Sequence, residues 1–192
     1  MRIKSAIGLF LLFCVALCAP TNATSGAEGR SEVFSALAQL PVAGSTTNVK
    51  IYINGYSTQQ DAERLQATLL KGGPNALLKA LRKMKTLGRI QREASVDSYN
   101  FKLIISQPTA TGRHIYAVAE RPIGFLEVYS SGRSRDYQFG ILELDLKTGD
   151  SEREKGVGTL IYAAKIRVIS GDKVETENLT FAPIKLLGVR QL

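Results

Sequence analysis

Leu160-Ile161-Tyr162-Ala163-Ala164-Lys165-Ile166-Arg167-Val168, running through Ile169 into Ser170-Gly171-Asp172, is the stretch on which the fold turns. Leu160, Tyr162, Ala164, Ile166 and Val168 recur at every second position, the period of a strand with one buried face. Ser-Gly-Asp is turn chemistry, so residues 173–181 are expected to return antiparallel. The same period extends outward along the chain. Leu142, Leu144 and Leu146 alternate with Glu143, Asp145 and Lys147, and Ile115, Ala117 and Ala119 form another such run. Tyr99, Phe101, Leu103 and Ile105 read as one alternating segment, separated from Ile115 by a turn at 109–112. A shorter strand is expected at 125–129. Val49, Ile51 and Ile53 alternate nearer the start, after an apolar stretch at 33–40 that Pro41 ends.

Only one region departs from this period. Thr58, with Asp61 three residues on, predicts a helix start. Ala62, Leu65, Leu69 and Leu70 then make one apolar stripe. Gly72 and Gly73 stop that helix, Pro74 suits the first turn of a second, and Leu77, Leu78, Leu81 and Met84 form its apolar face. Asp61 and Glu63 stand early, while Lys79, Arg82, Lys83 and Lys85 stand late, an order that complements the helix dipole. Strands joined by turns, with one helical pair among them, predict an α+β domain. The expected architecture is a curled antiparallel sheet of about eight strands packed around the helical pair. Leu65, Leu69, Leu77, Leu81, Phe101, Phe125 and Phe139 are its candidate core.

The first residues read differently. Arg2 and Lys4 precede an apolar run from Ala6 to Ala19, and small and polar residues follow it. This is the pattern of a secretory signal peptide, too short for a transmembrane anchor. Cleavage is expected after Ala23, with Ala19 the weaker choice. A lipoprotein reading is disfavoured because Phe13 and Leu17, neither of them small, precede the two cysteines. Residues 24–31 are expected to be a flexible N-terminus and 32–192 a single domain. The mature chain then carries 23 Lys+Arg against 17 Asp+Glu, a net charge of +6 over 169 residues. It contains no cysteine, since both lie at Cys14 and Cys18, and one histidine, His114. Disulfide frameworks, cysteine nucleophiles and multi-histidine metal sites are thereby excluded, and no cofactor or metal is expected. A domain of this size holds its fold by its core alone.

Tyr56-Ser57-Thr58 leading to Asp61, Glu63 and Leu65, then Ala76-Leu77-Leu78-Lys79-Ala80-Leu81 and Gly88-Arg89-Ile90, form one set of recognisable residues. Arg121-Pro122-Ile123-Gly124-Phe125-Leu126-Glu127 and Asp136-Tyr137-Gln138-Phe139 form the others. Together, over roughly residues 47–190, the chain resembles a group of small exported bacterial proteins without an assigned function. The resemblance implies a bacterial exported protein, periplasmic or secreted, and brings no activity or catalytic residue.

Chemistry-bearing residues are sparse. His114 is a potential base, but no G-x-S-x-G elbow presents a serine to it, and an ordinary exposed histidine is the simpler reading. Glu143 and Asp145 lie on one side of one strand beside Lys147, as on a solvated face, whereas glycosidase carboxylates flank a substrate from opposing elements. Asp150, Glu152 and Glu154 around Arg153 and Lys155 read as a charged, mobile loop lacking calcium-loop ligand order. Gly156-Val157-Gly158-Thr159 precedes a strand, where a phosphate loop would lead into a helix. Asn178-Leu179-Thr180 matches a glycosylation sequon without further support. Arg113, Arg121, Arg133 and Arg135, with Tyr116, Tyr129 and Tyr137, suggest an anion-binding surface, although Glu120, Glu127 and Asp136 would neutralise it by cross-strand pairing.

The expected function is therefore a non-catalytic exported binding domain for an unknown protein or small ligand. No nucleic acid and no membrane anchor after signal removal are expected. Its surface is placed at the hairpin bearing Arg121, Glu127, Arg133 and Arg135, with Pro122 at a strand start or sheet edge. One alternative is a carrier of a small apolar ligand between sheet and helices. Another is a hydrolase using carboxylates among Glu120, Glu127, Glu143 and Asp145.

Overall fold

A computed structural model describes residues 31–40, 45–93, 95–124, 136–148, 154–170, 173–179 and 182–192. The expected signal peptide and most of the flexible N-terminus lie outside these residues. The described chain forms strands β1 (Glu32–Gln39) and β2 (Thr46–Ile53), helix α1 (Gln59–Arg82), then β3 (Gly88–Arg92), β4 (Ser98–Phe101) and β5 (Leu103–Thr109). It continues with β6 (Gly112–Ala119), β7 (Phe139–Thr148), β8 (Glu154–Ser170), β9 (Lys173–Asn178) and β10 (Ile184–Gln191). All pair antiparallel in one sheet of order β4-β3-β2-β1-β10-β8-β7-β6-β5, with β9 attached to β8. The sheet thus has ten strands where about eight were expected. No helix among the described residues is long and apolar enough to cross a membrane.

The two ends of this sheet are neighbours in sequence. β4 pairs with β3 at one end and β5 with β6 at the other, and only Lys102 separates them. The segment expected to be one strand is therefore split, with each part hydrogen-bonded to a different partner. Lys102 N–H donates to the Val118 carbonyl at 2.9 Å, and Ser57 N–H donates to the Ile104 carbonyl at 2.7 Å. Ile104 N–H in turn donates to Ser57 Oγ at 3.1 Å. The sheet is rolled into a nearly closed barrel, which removes most of the free edge that an open sheet would expose.

Closure divides the apolar residues into two cores. Phe34, Ile51, Ile90, Phe101, Ile104, Ile115, Leu142, Leu144, Leu160 and Leu186 form the first cluster, each 0% exposed. They come from nine strands, so they face the barrel interior. The second cluster joins Leu65, Leu69, Leu77, Leu78 and Leu81 of α1 to Val118, Phe139, Ile141, Ala164 and Ile166. These sheet residues point the opposite way, so the helix packs on the outside of the barrel. The expected sheet wrapped around its helices is corrected on this point. A closed barrel fills its own interior with side chains, which leaves the helix only the outer face. The candidate core is likewise divided: Phe101 lies inside, Phe139 and the four leucines lie under the helix, and Phe125 falls outside the described residues.

The run from Leu160 to Val168 is a strand, but its buried face changes halfway. Phe139 pairs with Ala164 and Ile141 with Ile161, so β8 holds one extra residue there, a β-bulge. Leu160 and Tyr162 belong to the interior cluster, while Ala164 and Ile166 belong to the helix cluster. The same strand serves both cores.

The helix begins as its sequence predicts. Thr58 is the N-cap, and its Oγ1 accepts from Asp61 N–H at 3.1 Å. The helical pair is one helix broken at Gly73, whose φ of 70° is a conformation that residues with a Cβ rarely adopt. Pro74 restarts the helix where its missing N–H costs least. Each leucine fully buried beneath it contributes roughly 1.5–3 kcal/mol.

Candidate functional site

The break at Gly73 lets the helix border an open groove. In a straight helix Asp61 and Lys83 would stand about 33 Å apart along the axis. Both line the same open groove of about 1350 Å³, so the second half of the helix folds back alongside the first. One wall carries Lys79 and Lys83 from the second half, then Lys85 from the turn that follows. The other wall is the segment Asn54-Gly55-Tyr56-Ser57-Thr58 that closes the barrel and leads into Gln59, Asp61 and Arg64.

The charges in the groove are unbalanced. Asp61 is held by Arg64 at 2.8 Å, so these two offset each other. Lys79, Lys83 and Lys85 are exposed and have no ion-pair partner among the described residues. Lys102 Nζ, close by, is spent on the Met84 carbonyl at 3.1 Å and Thr86 Oγ1 at 3.0 Å. That contact anchors the turn bearing Lys85 to the barrel seam. The lysines were legible in the sequence, but only as a complement to the helix dipole. Helical spacing puts Lys79 and Lys83 on one face, but that this face borders a groove opposite residues 54–59 depends on the fold-back at Gly73.

A partly buried ionic cluster supports the opposite wall from behind. Arg113 donates through Nε to Glu154 at 2.7 Å and through one terminal nitrogen to Glu154 at 2.5 Å and Glu32 at 2.9 Å. Its other terminal nitrogen donates to the Tyr56 hydroxyl at 2.8 Å, and that hydroxyl donates to Glu32. The side chains of Arg113, Glu32 and Glu154 are 19%, 12% and 14% exposed. By strand alternation all three point into the barrel, with Phe34, Ile115 and Leu160 on the same face of their strands. Burial pushes the Tyr56 hydroxyl well above the usual tyrosine range, and the hydrogen bond to Glu32 adds to this. Burial alone would lower the Arg113 pKa, but its bonds to Glu154 and Glu32 outweigh it and hold the guanidinium charged. Arg113, grouped in the sequence with a surface arginine set, is thus a partly buried residue near the ends of β1, β6 and β8, tied to Glu32 and Glu154. Glu154, read as part of a charged loop, opens β8 and is its bidentate partner.

The expected hairpin surface is only partly visible. Arg121 donates to the Ser98 carbonyl at 2.9 Å and lies over the Tyr99 ring at 5.0 Å. Pro122 lies just past β6, outside any strand. Glu127, Arg133 and Arg135 fall outside the described residues, as does the expected strand at 125–129. Asp136 pairs with Lys165 at 2.9 Å, and that hydrogen bond holds its carboxyl below the usual range.

The carboxylates proposed for hydrolysis do not form a cleft. Glu143 and Asp145 sit on the outer face of β7, opposite Tyr116 and His114 of β6. His114 Nδ1 lies 2.7 Å from Asp145 Oδ1, a cross-strand pair. Burial raises the Glu143 pKa, partly offset by His114, with Asp145 adding to the rise. Burial and the Glu143 charge also raise Tyr116. Glu120 follows the far end of β6, and one of its carboxylate oxygens is buried with no hydrogen-bond partner among the described residues. None of these acids lines the groove, and Glu127 is outside the described residues.

Gly156 and Gly158 lie within β8, where a Cβ on Gly156 would stand 1.8 Å from the Asp145 carbonyl oxygen. They permit close strand approach, and no phosphate loop is formed. The space between helix and sheet, assigned to a ligand in the carrier reading, holds Leu65, Leu69, Leu77, Leu81, Phe139 and Ile166. Comparison of the chain with protein-family models, curated proteins and solved structures finds no match.

Proposed function

We propose that this chain is a non-catalytic binding domain that takes an anionic partner in the groove between the two halves of α1 and residues 54–59. The observation that carries this reading is the wall of three uncompensated lysines facing a wall without a free carboxylate. Uncompensated charge in a concave site raises the local concentration of ions of opposite sign. An Arg113-braced barrel behind one wall and the Lys102 anchor behind the other keep the walls in place, so little ordering cost opposes binding.

The test is a panel of soluble polyanions: polygalacturonate, polyglutamate and polyphosphate. At least one is expected to bind the intact protein, with binding weakened by salt as exposed charge contacts are screened. The triple variant Lys79→Gln, Lys83→Gln, Lys85→Gln is expected to keep its thermal midpoint and lose that binding. Retention of full affinity by the variant would place the site elsewhere, and failure of every polyanion to bind would end the reading.

The domain is further proposed to act outside the bacterial cytoplasm, on the basic n-region and apolar run at the chain start. Expression of the full chain in a bacterial host is expected to deliver exported protein beginning at Thr24. Cytoplasmic protein that keeps residues 1–23 would refute export.

A further inference from the structure

We infer that the groove's occupant is a linear acidic glycan, a chain of uronate or similarly charged sugars; this rests on the anion-binding reading above and narrows it. The two walls differ in the chemistry they offer. Lys79 and Lys83 are one helical turn apart, about 6 Å of rise, and Lys85 extends the row past the helix end. Ammonium groups act as point charges, without the fork that grips a single phosphate or carboxylate. The one guanidinium lining the groove among the described residues, Arg64, is occupied by Asp61. A row of point charges fits a repeating anion better than a compact one.

The facing wall offers neutral groups. Thr58 Oγ1 is bonded to Asp61, Ser57 Oγ accepts from Ile104 N–H, Asn54 Oδ1 accepts from Ser31 and Gln59 Nε2 donates to Glu63. That leaves the Asn54 Nδ2 and the Ser57 hydroxyl to donate and the Gln59 Oε1 to accept. That inventory matches the hydroxyls of a sugar chain. An acidic peptide is usually held by a free strand edge, by apolar anchor pockets or by a cluster of arginines, and Arg64 here is already paired with Asp61. The backbone here is already engaged, Asn54 N–H by Leu87 at 2.7 Å and Ser57 N–H by Ile104 at 2.7 Å. Single-stranded nucleic acid would need rings on which bases stack. Tyr56 is the groove's one aromatic residue, its hydroxyl tied to Glu32 and Arg113 and the Arg113 guanidinium 5.8 Å from its ring centre.

The experiment compares equilibrium binding of polygalacturonate, neutral galactan, polyglutamate and oligothymidylate to the intact protein, at about 50 and about 200 mM salt. Polygalacturonate is expected to bind at least about tenfold more tightly than each of the others. The triple lysine variant should weaken it about tenfold or more, the sum of three modest exposed charge contacts. Asn54→Ala with Gln59→Ala should weaken polygalacturonate severalfold while leaving weak polyglutamate binding unchanged. Polyglutamate or oligothymidylate binding as tightly as polygalacturonate would overturn the glycan assignment and leave the anion-binding reading standing. So would a polygalacturonate affinity unmoved by the neutral-wall variant. Silence from all four polymers would overturn the glycan assignment, and silence from polyphosphate as well would overturn both.

Discussion

Arg113→Ala is expected to lower folding stability by roughly 2–3 kcal/mol, below the full cost of stripping one partner from a buried ion pair because this cluster is only partly buried. The substitution leaves Glu32 and Glu154 facing the barrel interior without their cation, and it removes four hydrogen bonds. Urea unfolding at neutral pH would measure the loss. Adding Glu154→Gln to Arg113→Met should recover part of the loss by removing one stranded charge. A loss under about 1 kcal/mol, typical of an exposed pair, would mean the cluster does not brace the barrel.

Phe101→Ala is expected to cost roughly 3–5 kcal/mol and to open the barrel along one line. Phe101 is fully buried at the end of β4, one residue before the chain crosses to the other end of the sheet. Its own carbonyl accepts from Leu87 N–H at 2.9 Å, and the next residue donates to Val118. Emptying that position removes the packing that holds both sides of the seam. Native-state hydrogen exchange should therefore accelerate at Leu87 and Lys102 more than along the β6–β7 ladder. Equal acceleration everywhere would show that the seam opens only with the whole domain.

Much of the local structure was legible because it rests on local causes. The Thr58 cap, the leucine stripes and the break at Gly73 depend on hydrogen bonds and dihedral angles within a few residues. Alternation revealed most strands, since side chains point to opposite faces whatever the strand's neighbours are. It failed where the neighbours decide. Tyr99 to Ile105 alternates without a flaw, yet the chain changes partners at Lys102. Leu160 to Val168 alternates equally well, yet a bulge set by pairing with β7 turns its second half toward the helix.

Electrostatic roles were the least visible. Arg113 and Glu154 are 41 residues apart and Arg113 and Glu32 are 81 apart, so no spacing rule links them. By itself the sequence determined an antiparallel, strand-rich chain with one helical region broken near Gly73, read as a pair of helices, and a run of lysines at its end. Tertiary structure alone decided that the sheet closes on itself, that the helix lies outside it, which arginine is partly buried, and that the lysines face a groove. The reason is physical: period and propensity report on backbone and immediate neighbours, whereas closure, burial of charge and the meeting of distant walls depend on contacts that exist only once the chain has folded.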